Sequence, residues 1–327
     1  MITYNNNRFF LILFRNIIPY HVEEALRNTL IMTLLSYIII IINEESDFIN
    51  IKITQPWINT LSVIGFFLFM FIAFRLNTAF IIWNTSISLI IELENEANNL
   101  MNKLYSSIDF NDEDRQYKLN DLYKFKNTLI LYIANIFSLC NGSNGRSDKY
   151  RTPFLTKSEE IIKNEINATI ILMKEIDNNI VECTIPTKFY IRTIDYELRK
   201  QINLISKKYN LYLTIIAEFY NQIDILSKIT NNLYKISYIP DVFIFNQFIN
   251  FIIIVYIILY TCTTIPESGY WAGFWVAIFS FVLFLSNSVC SEINTPFGTD
   301  LNDIELEIIL INIKNEYEAM YNYLTQL

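Results

Sequence analysis

The sequence predicts an all-α membrane protein whose four transmembrane helices continue into a helical bundle outside the bilayer. Three observations carry that expectation. The chain is too apolar for an ordinary water-soluble domain, with 52% of its 327 residues hydrophobic and only 18% charged. Its apolar residues gather into runs close to the ~20 residues that a membrane helix needs. Between those runs, apolar residues recur at three- and four-residue spacing, the period of an amphipathic helix. Breakers are scarce as well, with 6 Gly and 7 Pro in the whole chain.

The first run is Leu26 to Ile42, "LRNTLIMTLLSYIIIII". Arg8 and Arg15 precede it as a signal peptide's basic lead would, but it ends in "IIIIINEES" with no small-residue cleavage site, so a retained span is expected. The second, Trp57 to Ile91, exceeds one span and centres on "VIGFFLFMFIAF" (Val63 to Phe74). Val242 to Ile265 and Tyr270 to Cys290 form a pair around the turn "PESG". The expected divisions are residues 1–91 for the lead-in and first two spans, 92–239 for a cytosolic helical region, 240–291 for the last two spans, and 292–327 for a cytosolic C-terminal segment.

Orientation follows from Lys and Arg. The loop 43–56 carries Lys52 against Glu44, Glu45 and Asp47, and the turn 266–269 carries no base. Arg8, Arg15 and Arg27 lie before or at the first span, and most other bases fall in 92–239. Both termini and the middle region are therefore expected on the cytoplasmic side. Within that region, "LYKFKNTLILYIANIFSL" (Leu122 to Leu139) and the stretch Tyr196 to Ile229 have helical periodicity, and "CNGSNGRSDKYRTP" (Cys140 to Pro153) has a loop's composition.

Several function classes are excluded. A net charge of −8 opposes nucleic-acid binding, which needs a basic face. His21 is the only histidine, which removes paired-imidazole metal chemistry. Cys140, Cys183, Cys262 and Cys290 are scattered without a CxxC pair and read as free thiols. No Gly-rich phosphate loop or nucleophile elbow occurs, and Glu92, Glu94 and Glu96 at alternate positions would spread around a helix instead of pairing. The chain does not read as an enzyme. Asn is so abundant throughout that individual Asn residues are not treated as signals.

Four segments, in order, resemble the bestrophin family. "FRLNTAFIIWN" (Phe74 to Asn84) is similar to that family's second-helix signature, Phe-Arg-Asn-Asn-Ala-x-Tyr-x-Arg-Trp-Trp in its bacterial branch. It departs from it at Leu76 and across Ile82-Trp83-Asn84. "YIPDVF" (Tyr238 to Phe243) resembles the turn into the third membrane helix. "GYWAGFWVAIFSFVLF" followed by "EINTPFGTDLNDIEL" resembles the fourth helix and its Pro-Phe-Gly-x-Asp-x-Asn-Asp exit. "NRFFLILFRNIIPYHVEEAL" (Asn7 to Leu26) sits where the family has a short lead-in helix.

The resemblance implies a homopentamer around a central pore that passes ions passively through the lipid bilayer. Chloride or other small anions are the favoured cargo, with a monovalent cation such as sodium as the alternative. A membrane scaffold with a sealed core is a third reading. By the same correspondence, Phe66, Met70 and Phe74 would form three apolar rings at the pore neck. Their four-residue spacing keeps them on one helix face, where a narrow greasy tube can gate by losing its water. Phe and Met so spaced also suit a lipid-facing or packed surface. Ile239, before Pro240, corresponds to a second, cytosolic aperture, or packs beneath the membrane.

Arg75 is the one base deep in an apolar run. It either attracts anions or is a structural Arg tied to a carbonyl or to a carboxylate such as Glu92. Asp300 and Asp303 match two carboxylates that hold calcium in eukaryotic relatives, where further carbonyls come from positions matching Glu292 and Thr295 and from the N-terminal lead-in. The competing reading of "TDLNDIELE" is a helix N-cap with acids in its first turn.

Overall fold

A computed structural model describes residues 20–45, 55–110, 115–142, 188–238, 243–297 and 303–326. Every regular element among them is helical: α1 (Tyr20–Glu45), α2 (Gln55–Ser107), α3 (Arg115–Gly142), α4 (Lys188–Lys208), α5 (Leu213–Tyr238), α6 (Phe243–Ser268), α7 (Ala272–Ile293) and α8 (Leu306–Gln326). A 3₁₀ turn, Gly269–Trp271, joins α6 to α7. The chain forms two compact units, one of residues 1–83 with 240–295 and one of 84–239 with 296–327.

The first unit holds the apolar helices. Val22–Asn43, Trp57–Ser107 and Gln247–Ile293 are long and apolar enough to cross a membrane, and the 3₁₀ turn divides the last of these into two helices. Pro56 at the second position of α2 costs nothing, because first-turn N–H groups have no intrahelical acceptor. The break between α6 and α7 comes later than the "PESG" turn expected from Pro266. α6 continues through Pro266 to Ser268, and Gly269 reverses the chain at φ +54°, a conformation L side chains resist.

Leu68 and Ile72 of α2 meet Ile249, Ile253 and Ile257 of α6 and Val276, Leu283 and Phe284 of α7, with Ala25 and Met32 of α1 in the same core. Hydroxyls within these helices bond one turn back. Thr33 donates to the Thr29 carbonyl at 2.8 Å, Thr261 to Ile257 at 2.8 Å, and Ser286 to Val282 at 2.8 Å. These hydroxyls are thereby satisfied without water, whereas the buried Thr29 hydroxyl has no partner among the described residues.

The second unit is a bundle of α3, α4, α5, α8 and the last part of α2 around one apolar core. α3 lies at its centre, buried on almost every face from Phe125 to Cys140. Several of its polar residues find partners inside, although the buried Asn127 amide nitrogen has none among the described residues. Tyr132 shares a 2.9 Å hydrogen bond with Thr230, Gln201 donates to Thr128 at 2.9 Å, and the Lys126 ammonium sits 4.7 Å and 5.0 Å from the ring centres of Tyr123 and Tyr321. Burial lowers the Lys126 pKa, with Glu318 opposing that effect.

The continuous periodicity from Tyr196 to Ile229 conceals a break. α4 ends at Lys208 and α5 starts at Leu213, with Asn210 at φ +50° and the Leu211 N–H bonded to the Ser206 carbonyl at 3.1 Å. Periodicity survives because both helices turn their apolar stripes to the same core. Arg199 ties the pair together through Asp195 at 3.2 Å and Asp224 at 2.7 Å, while the Ser227 hydroxyl donates to Asp195 at 2.9 Å.

Two stability predictions arise from this packing. An added Cβ at Gly65 would lie 2.6 Å from the buried Tyr256 hydroxyl, so Gly65→Ala should cost about 1–3 kcal/mol. Tyr256→Phe should recover part of the lost melting temperature in detergent, and a fully additive double variant would refute the clash. Arg199→Leu should destabilise the purified protein by about 2 kcal/mol, because it strands the mostly buried Asp195. Asp224→Asn should cost under about 1 kcal/mol, since the Asp224 side chain is 67% exposed.

Candidate functional site

α2 presents two faces in the first unit. Leu68, Ile72 and Ala79 are buried, at the three- and four-residue steps of one helix face. Phe66, Met70 and Phe74 follow each other one turn apart on the opposite side. Phe66 is 67% exposed, Phe74 is 58% exposed, and Met70 is half-buried. Phe66 touches only its neighbour edge-on among the described ring contacts, at 5.9 Å from Phe67, whereas Phe69 on the flank packs on Phe279 at 6.1 Å. The three side chains singled out by sequence therefore point away from their own subunit's core.

Arg75 follows directly, about 100° further round the helix. Its guanidinium donates through one nitrogen to Asn287 Oδ1 and through another to Ser291 Oγ at 2.9 Å. These acceptors are one turn apart on α7, so a single side chain spans a full turn of its neighbour. The Asn287 amide group then donates to Asn250 Oδ1 of α6 at 2.7 Å. Ser291 in turn donates to the Asn287 carbonyl at 3.3 Å. The partner expected for a structural Arg was a backbone carbonyl or Glu92. The described bonds instead reach side chains of α7, because these stand level with Arg75 and offer acceptors inside the apolar layer.

The exit of α7 is a C-cap. Thr295 brings both its N–H and its hydroxyl to the Glu292 carbonyl, each at 3.1 Å, and Glu292 is buried. The carbonyl that calcium would need from Glu292 already terminates the helix. Asp303 is half-buried in the second unit and Asp300 lies outside the described residues. Among the described residues, no group of three His, Cys, Asp or Glu side chains could hold a metal ion.

The N-cap reading of this segment also shifts. α8 starts at Leu306, three residues beyond Asp303, and its first-turn acid is Glu307. The Ile304 N–H is held by the Pro296 carbonyl at 3.0 Å, which delays the helix start. Phe297, 1% exposed, plugs into the second unit's core and anchors the segment. Ile239 and the lead-in residues 7–19 lie outside the described residues.

Sequence reasoning passed over Asn250, Asn287 and Ser291. Setting Asn aside as a compositional bias hid them. The available signal was Asn287 and Ser291 at i and i+4 within an otherwise greasy helix, where polar side chains seek interhelical partners.

Residues 1–319 match the family described as "Bacterial/Fungal Bestrophin protein". Among solved structures, one single-substitution variant of the bacterial bestrophin homologue from Klebsiella pneumoniae superposes with a TM-score of 0.70 at 15% identity, covering 91% of this chain and 99% of that one. A second variant of that homologue gives 0.69 at 13% identity, covering 91% and 98%. A structure described as a membrane protein gives 0.71 at 15% identity, again covering 91% and 98%. No curated protein matches. With the family matched over nearly its whole length and the helical fold shared with the Klebsiella homologue, the chain belongs to the bestrophin family of membrane channel proteins.

Proposed function

We propose that the protein is a homopentameric channel that passes chloride or other small anions passively, with Phe66, Met70 and Phe74 lining its constriction. One observation carries this reading: α2 buries Leu68 and Ile72 while turning two aromatic rings and a Met outward at one-turn spacing. Five such faces around an axis would shield each other from lipid and leave a dry, narrow tube. An ion enters it only when water does. The helices span the membrane four times with both termini cytoplasmic, and Ile239 forms a second aperture where the ions leave.

Ion sign rests on few residues. Arg75, the only base in α2 before Lys103, adds a positive charge near the constriction, but its bonds to α7 make it first a structural residue. A sodium-conducting channel is the second reading. It is favoured by exposed Asn77, Asn84, Ser88, Glu92, Asn95 and Asn99 on α2 and by the −8 net charge, while Lys103 is drawn 3.2 Å from Glu218. Calcium control through Asp300, Asp303 and the Glu292 and Thr295 carbonyls ranks below a helix-terminating role, since Thr295 already occupies the Glu292 carbonyl.

The deciding experiment is the reversal potential of purified protein in a planar bilayer under a sodium chloride gradient, at varied calcium. Reversal near the chloride potential is expected; reversal near the sodium potential would select the cation channel. Replacing Phe66, Met70 and Phe74 together with Ala should widen and wet the neck and raise unitary conductance several-fold, by about 3-fold or more. Unchanged unitary current would remove them from the constriction. Silence of both proteins would select a sealed scaffold.

A further inference from the structure

The bonds of Arg75 have a mechanical consequence for Phe74. On a rigid helix the two side chains turn together, because they are adjacent residues about 100° apart. Arg75 is fastened at two points, to Asn287 and to Ser291 one turn further along α7. A single hydrogen bond would let the guanidinium pivot; two acceptors a turn apart fix its direction. The guanidinium can only donate, so the Asn287 oxygen faces Arg75 and its amide group is left for Asn250 on α6. Three helices are thus joined by one run of bonds with a single consistent donor direction.

Resting on the proposed constriction, we propose that Arg75, Asn287, Ser291 and Asn250 form a rotational lock that holds α2 with Phe74 facing the pore, so that releasing the lock opens the channel. Turning α2 by about 30° carries a group about 5 Å from its axis through about 2.6 Å, enough to break both Arg75 bonds. The same turn swings the Phe74 ring off its outward direction, where it stands 58% exposed. Arg75 and its acceptors are positioning residues here. The charge itself serves to grip α7, and its effect on passing ions is secondary.

The lock and an anion-attracting field make opposite predictions for Asn287→Ala, which removes the grip and keeps the charge. A lock expects the open-to-closed ratio in single-channel records to rise about tenfold, the equivalent of one lost charge-assisted hydrogen bond, at unchanged reversal potential. Asn287→Asp keeps an acceptor for Arg75 but loses the donation to Asn250, so it should return the ratio most of the way to the parent's value. Ser291→Ala, a milder change if Asn287→Ala fails to assemble, should shift it in the same direction. Arg75→Gln should act like Asn287→Ala.

An unaltered open-to-closed ratio in Asn287→Ala and Ser291→Ala would overturn the lock. So would a reversal potential that moves in Arg75→Gln while gating stays put. Should the triple Ala variant also leave conductance unchanged, the constriction itself is lost. A wetted triple variant with inert Asn287→Ala condemns only the lock.

Discussion

Hydrocarbon offers no hydrogen-bond partner, and this requirement shapes the first unit more than any single contact does. Each donor carried into the apolar layer must find an acceptor in the protein. Helix geometry meets most of the demand, and hydroxyls meet theirs by bonding one turn back, as Thr33, Thr261 and Ser286 do. A guanidinium cannot be satisfied within its own helix. Arg75 reaches across to α7, where Asn287 and Ser291 accept its bonds.

Burial divides α2 into a covered stripe and an outward one. Leu68, Ile72 and Ala79 are buried in the first unit, and Phe66 and Phe74 are left mostly exposed. An aromatic ring can face lipid or a second copy at little cost, so exposure alone does not make a pore. Exposure together with family membership points to a pore, and the Arg75 contacts give the face a reason to stay where it is.

The second unit has an apolar core of its own. Its centre, α3, is buried nearly all round, pairs Tyr132 with Thr230 inside, and sets the buried Lys126 against the Tyr123 and Tyr321 rings. Arg199 bridges Asp195 on its own helix and Asp224 on the next, which closes α4 against α5 through partly buried charges. Lys208 and Tyr209 both donate to Asp121 at 2.7 Å and tie the end of α4 to α3. Such bonds favour a single packing arrangement, while apolar area provides the bulk of the stability.

Much of this was legible in the residues themselves. Composition and run length alone determined a helical membrane protein, because a bilayer of fixed thickness translates directly into residue counts. Four ordered motifs determined the family, and four-residue spacing determined that Phe66, Met70 and Phe74 share a face. The break at Asn210 and the late start of α8 escaped notice, since periodicity reports burial and is blind to turns between helices that share a core. Only the tertiary structure decided that this face points outward, that Thr295 occupies the Glu292 carbonyl, and that Arg75 grips Asn287 and Ser291 more than two hundred positions away. Those outcomes depend on which groups packing brings within hydrogen-bond reach, and a 3 Å contact between distant residues leaves no trace in local spacing.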